Sequence, residues 1–187
     1  EFLIACAADI IRKYAPEVTF VHNGQLDGIR HTQGAFGPHL YPELDRVDKH
    51  IGQLCEALED AGVLADTDIF VVSDHGQIEI KRTIKLNALL ADHGLVDVNE
   101  KGKCVDYRAY CLSNAMSSLV YLKDPTDKEL HDRVYKLLCD LRDEGIYGFS
   151  QVFTREEIAE KEHLDGEFSF VLESDGYTSF SDSCKRP

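Results

Sequence analysis

Four consecutive apolar residues, Ile69-Phe70-Val71-Val72, run straight into Ser73-Asp74-His75-Gly76. Successive side chains of a strand point to opposite faces, so an unbroken apolar run suits a strand covered on both sides. A second β-branched and aromatic run, Val18-Thr19-Phe20-Val21, follows Pro16. Between the two, Leu44, Val47, Ile51, Leu54, Cys55 and Leu58 recur at three- and four-residue spacing. That spacing predicts an amphipathic helix from about Pro42 to Asp60, with Gly62 just past its end. Strand, loop, helix, strand is a crossover unit whose strands are normally parallel. The expected fold is α/β, with a mostly parallel central sheet flanked by helices.

The remaining segments fit that class. Phe2–Tyr14 predicts an amphipathic helix without a start signal, and His22 to Pro38 predicts a loop rich in Gly, Asn and Asp. Leu86, Leu89 and Leu90 mark a short helix ending near Gly94, and residues 107–122 read as strand pairs, most clearly Ser118 to Leu122. Leu130, Val134, Leu137, Leu138 and Leu141 share one helical face, stopped by Gly145. Thr154 and Glu157 have capping-box spacing for a helix towards Glu162, and Phe168 to Leu172 alternates as a strand. No repeat or low-complexity tract is present. The abrupt start at Glu1 and stop at Lys185-Arg186-Pro187 suggest a piece of a longer enzyme.

Composition narrows the partners. The chain has 187 residues, 43% of them hydrophobic, enough to bury a core. Its formal net charge is -14, from 34 acidic and 20 basic side chains. Such a field repels nucleic-acid polymers and anionic membranes, and would repel a phosphorylated substrate unless cations sat at the site. The apolar N-terminal run is short and broken by Asp9, so no membrane segment is expected. Six cysteines occur without a C-x-x-C pair, which favours a reducing, cytoplasmic setting and leaves extracellular or periplasmic ones open. Cys104 and Cys111 flank a possible hairpin and could pair.

Ligands of open α/β sheets gather at the carboxyl ends of strands. The first strand leads to Asp27 and His31, spaced D-x-x-x-H, and the second to the adjacent pair Asp74-His75. Carboxylate oxygen and imidazole nitrogen suit Zn²⁺. Neighbouring parallel strands would bring both pairs to one crevice, where Gly28 and Gly76 permit close backbone approach. Either pair alone reads more often as a turn carboxylate beside a solvated imidazole; two pairs after consecutive strands, each flanked by Gly, favour a ligand set. His22 and Asn23, closing the first strand, could line a substrate pocket. Arg30 could contact a phosphate oxygen or pair with a carboxylate.

Gln25-Leu26-Asp27-Gly28-Ile29-Arg30-His31, then Gly37-Pro38, then the Leu44–Leu58 helix with Asp48, then Phe70 to Gln77 with S-D-H-G, resembles the type I phosphodiesterase/nucleotide pyrophosphatase family of the alkaline phosphatase superfamily. The resemblance is strongest over Val18 to Gln77 and thinner to about Phe180. It implies an alkaline phosphatase-like core. Residues 1–187 would be a partial phosphodiesterase domain truncated at both ends, with a less regular, insert- or cap-like portion over about 84–165. It further implies two divalent ions, Zn²⁺, one held by Asp27 and His31 and the other by Asp74 and His75. In the family, a Thr or Ser hydroxyl attacks in line to give a covalent phospho-enzyme that water hydrolyses. One ion lowers the nucleophile's pKa and the other stabilises the leaving oxygen.

The chain departs from that pattern at both ends. The family's early aspartate, its nucleophile and its late histidine have no match here. Thr19, Thr32 and His163 do not stand in the matching places. The implied activity is metal-dependent hydrolysis of phosphodiester or pyrophosphate bonds in small, nucleotide-type substrates, with this piece alone inactive. A phosphonoacetate-type, phosphomonoester or sulfate-ester hydrolase on the same scaffold is the nearest alternative, and a non-catalytic binding module a third.

Overall fold

The computed structural model describes residues 1–186, which divide into two compact units, one over Glu1–Glu79 and one from Ile80 onward. The first unit is helical. Helix α1 (Phe2–Tyr14) buries Ile4, Ala7, Ala8 and Ile11. Ala8 and Ile11 meet Ala57 of α3 (Tyr41–Asp60), with Leu54, Leu58 and Ala61 around them. Arg12 Nε donates to Asp60 Oδ2 at 2.8 Å across this pair. Helix α1 stops at Ala15, which takes a left-handed conformation and donates its N–H to Ile11 O, just before Pro16.

Two expectations for this unit are overturned. The stretch from His22 to Pro38 is not all loop, because Gln25–Gln33 forms helix α2. Asn23 Oδ1 accepts the Gln25 N–H at 3.1 Å, and Gln25 Nε2 ties the helix to Glu43 Oε2 of α3 at 2.7 Å. No α2 residue is buried, so the helix has no apolar stripe for periodicity to reveal.

The second correction concerns the sheet. Val18–Val21 and Ile69–Val72 lie in extended backbone without strand pairing, and Phe20 is 96% and Val72 85% exposed. A doubly covered strand needs hydrogen-bonded neighbours and a layer on each face. Among the described residues the unit supplies helices and no neighbouring strand. The expected parallel pair is therefore not formed.

The second unit is mixed α/β and mostly antiparallel. In chain order it comprises β1 (Arg82–Ile84), α4 (Leu86–Asp92), β2 (Val96–Val98), β3 (Cys104–Tyr107), β4 (Ala109–Asn114) and β5 (Ser117–Leu122). There follow α5 (Lys128–Asp143), β6 (Phe149–Thr154), α6 (Arg155–Glu162), β7 (Phe170–Ser174) and β8 (Thr178–Phe180). A four-stranded antiparallel sheet has the order β4-β5-β7-β6, and β2 pairs antiparallel with β3. The parallel pairing is β1 with β8.

Alternation along the strands separates two apolar clusters. Val120, Leu122, Phe170 and Leu172 join Leu130, Val134, Leu138 and Leu141 of α5. Leu119, Tyr121, Phe153 and Val171 join Ile158 of α6 and Phe168. Asp127 caps α5 by accepting the Leu130 N–H at 2.9 Å. Thr154 and Glu157 form the expected reciprocal capping box on α6. The six cysteines are free, so Cys104 and Cys111 do not pair. Cys111 points into the core beside Ser118, and burial pushes its thiol up to about 12.

At Gly148 an added side chain would meet the tightest contact of the described glycines. Its φ is +83°, and an added Cβ would lie 2.2 Å from Thr178 Oγ1 and 2.8 Å from Arg82 Nε. Those atoms hydrogen-bond each other at 2.7 Å beside the β1–β8 pair. Gly148→Ala is expected to destabilise by about 1–2 kcal/mol from left-handed backbone strain alone, and further from the clash. Thermal denaturation measures it.

Glu173 sits opposite Ser117 and Gln151 in the sheet. Burial, then repulsion from Glu162, raises its carboxyl above the ordinary range. A carboxyl raised in the folded state binds its proton more tightly than the unfolded chain does. It thus lowers stability at neutral pH, and that loss fades as pH falls through the carboxylate range. Glu173→Gln should raise the melting midpoint at pH 7 and leave it little changed near pH 4, as calorimetry at the two pH values would show.

Candidate functional site

The four metal-type side chains all lie in the first unit. Asp27 stands in the first turn of α2, with His31 one turn later on the same face. His31 Nε2 is 3.3 Å from Asp27 Oδ1, and both side chains are largely open to solvent. The D-x-x-x-H spacing is therefore a helical pair rather than a loop pair.

Asp74 and His75 follow the exposed Ile69–Val72 run in a tight local network. Ser73 Oγ donates to His75 O at 2.6 Å, and the His75 N–H donates to Asp74 Oδ1 at 3.1 Å. His75 Nδ1 is 2.8 Å from Gly76 O. A carbonyl can only accept, so Nδ1 carries the proton. The neutral ring then presents its lone pair on Nε2, 3.6 Å from Asp74 Oδ2. An imidazole with one nitrogen tied to a carbonyl and the other free is the arrangement of a metal-ligating histidine.

Gln77 joins the two pairs. Its Nε2 donates to Asp27 Oδ1 at 2.6 Å, crossing fifty residues of sequence. The His75 pKa is raised first by the Gly76 carbonyl, then by Asp74, and also by the Asp27 carboxylate. Asp27 therefore acts on His75 through space. Among the described residues, no three His, Cys, Asp or Glu side chains are gathered closely enough to hold an ion. The Asp27 oxygen turns to the Gln77 amide, and Asp74 and His75 turn to each other. Two carboxylates and two imidazoles still fit a divalent cation chemically. Arg30 Nε and Gln77 Oε1 are buried without a partner, leaving unused polar capacity beside Asp27.

The other expected residues divide. His22 is exposed, and Arg30 lies on α2 between Asp27 and His31. Asn23 holds structure, bonding the Gln25 N–H and placing Nδ2 3.2 Å from Nδ1 of the buried His50. Thr32 Oγ1 donates back to Gly28 O at 3.0 Å, a helix contact rather than a nucleophile's position. His163 ends α6 in a left-handed conformation in the other unit. Gln77 was missed by sequence reasoning because an amide is not a zinc-type ligand, although it adjoins S-D-H-G.

In the metal-free protein, the His75 ring should titrate above the ordinary imidazole range. Asp27→Asn should lower its midpoint by removing a through-space anion, while Asp48→Asn should not. Histidine NMR titration reads both.

The sequence profile described as type I phosphodiesterase / nucleotide pyrophosphatase matches residues 3–180. No curated protein matches the chain by sequence. Among solved structures, the chain is similar to murine ectonucleotide pyrophosphatase/phosphodiesterase 5. The TM-score is 0.65 at 19% identity, covering 96% of this chain and 44% of that one. An inactive form of the same mouse protein in complex with AMP gives TM-score 0.65 at 18% identity, covering 96% and 43%. Phosphonoacetate hydrolase from Sinorhizobium meliloti 1021, in complex with phosphonoformate, gives TM-score 0.54 at 17% identity, covering 97% and 42%. The chain thus spans under half the length of the structures it matches. With nearly its whole length inside the profile, this chain belongs to the type I phosphodiesterase/nucleotide pyrophosphatase family.

Proposed function

We propose that the chain supplies part of the metal centre of a hydrolase that cleaves phosphodiester or pyrophosphate bonds in small nucleotide-type substrates. Asp27 with His31, and Asp74 with His75, are the proposed holders of two divalent cations, Zn²⁺. The observation that carries this reading is the Gln77–Asp27 hydrogen bond, together with the influence of Asp27 on His75. Through them, side chains from two distant motifs share one neighbourhood. The bound ions would neutralise phosphoryl charge on a protein of net charge -14.

The chain's own groups do the rest. The Gly76 carbonyl keeps the proton on His75 Nδ1 and leaves Nε2 for ligation. Arg30, one residue before His31, is the proposed phosphate contact, and His22 and Asn23 the proposed rim of the substrate site. The nucleophile, a Thr or Ser, is matched by no residue of this chain, Thr19 and Thr32 included. We read an alkaline phosphatase-like core as the setting of the site, and residues from about 84 to 165 as a cap-like insertion.

The test assays the full-length protein with zinc on a chromogenic phosphodiester. Asp74→Ala should lower kcat/KM by more than the roughly 10–100-fold typical of outer-shell partners, with matching loss of bound zinc by elemental analysis. Full activity in Asp74→Ala would sink the assignment. The likeness to phosphonoacetate hydrolase makes phosphonoacetate the second substrate of the panel.

A further inference from the structure

Residues 182–185 are fastened beside the β2–β3 hairpin within the second unit. Asp182 O accepts from Asn87 Nδ2 at 3.1 Å and from Tyr110 Oη at 3.2 Å, and its carboxylate takes the Ser113 N–H. A Cβ built on Gly102 would lie 3.2 Å from Lys185 Cβ and 3.4 Å from its Cα. The Cys184–Lys185 backbone therefore passes directly against the hairpin, where β3 begins at Cys104. Cys184 is buried at 8% exposure, and Cys104 packs half-buried against the same cluster. Each thiol donates to a nearby backbone carbonyl, Cys104 Sγ to Asp106 O at 3.5 Å and Cys184 Sγ to Asp182 O at 3.9 Å, and both side chains belong to one apolar cluster. Cys111 is excluded from this pair by its full burial beside Ser118 on the sheet.

We propose that Cys104 and Cys184 form a reversible disulfide by exchange with a small-molecule disulfide of the glutathione class. Cys104, the more open of the two, meets the reagent. Its thiol loses a proton to solvent, and the thiolate attacks one reagent sulfur. The reagent S–S bond breaks and one small thiolate leaves, to be reprotonated from solvent. Cys184 then gives up its proton and attacks the Cys104 sulfur of the mixed disulfide, expelling the second small thiol. Two protein thiols are oxidised and one reagent disulfide is reduced to two thiols. Burial, then the neighbouring Cys104, raises the Cys184 thiol above its ordinary value, which assigns it the second, resolving step. The bond pins the segment around Cys184 to the hairpin and cross-links a long loop, which restricts the unfolded state.

The experiment equilibrates the full-length protein with oxidised glutathione, traps free thiols by alkylation, and maps peptides without reduction. The expected product is a Cys104–Cys184 cross-link, two hydrogens lighter, reversed by dithiothreitol and accompanied by a higher melting midpoint. Cys184→Ser should instead accumulate glutathione on Cys104. Persistent glutathione on Cys104 in the unsubstituted protein, alkylation of both residues, or a link from Cys104 to another cysteine would overturn the proposal. The decisive readout is on the unsubstituted protein, so it stands even where the variant folds poorly.

Discussion

The second unit rests on a two-residue rhythm in β5 and β7. Val120, Leu122, Phe170 and Leu172 face the cluster under α5, while Leu119, Tyr121 and Val171 face the one under α6. A slip of one residue would exchange the two sets and unseat both helices at once. Register is thereby fixed from both faces of the sheet. The caps of α5 and α6 then only need to start helices whose buried faces are already chosen.

The candidate site follows a different logic, set by charge rather than burial. Its carboxylates and imidazoles stay partly wet, and Asp27, Asp74 and His75 are held by hydrogen bonds more than by packing. The Gly76 carbonyl settles which His75 nitrogen is protonated. The Gln77 amide gives Asp27 a neutral partner that does not cancel its charge. That charge remains available to a cation, as a salt bridge to lysine or arginine would not leave it.

Much of this was legible in the residues. The helices of Phe2–Tyr14 and Tyr41–Asp60, the α5 stripe and the Thr154–Glu157 box each carry a local signal that survives into the fold. The family was readable because D-x-x-x-H, the Gly-Pro step and S-D-H-G stand in the family's order. Helix α2 was hidden by its lack of a buried face. The parallel sheet misled for the opposite reason. Val18–Val21 and Ile69–Val72 have the composition of covered strands, but strand pairing is non-local and no composition names the partner. The Gln77–Asp27 bond depends on residues fifty positions apart, which spacing cannot reveal.

The bare apolar runs also bear on how the molecule behaves in a tube. Phe20, Phe70 and Val72 stand in water on extended backbone whose amides lack ladder partners, the features that let one polypeptide template another. A net charge of -14 opposes such encounters by mutual repulsion. Dissolved salt shortens the reach of that repulsion to about 10 Å at 0.1 M and leaves the greasy edges untouched. For this chain taken alone, low-salt buffers are therefore expected to keep copies apart and high-salt ones to favour association.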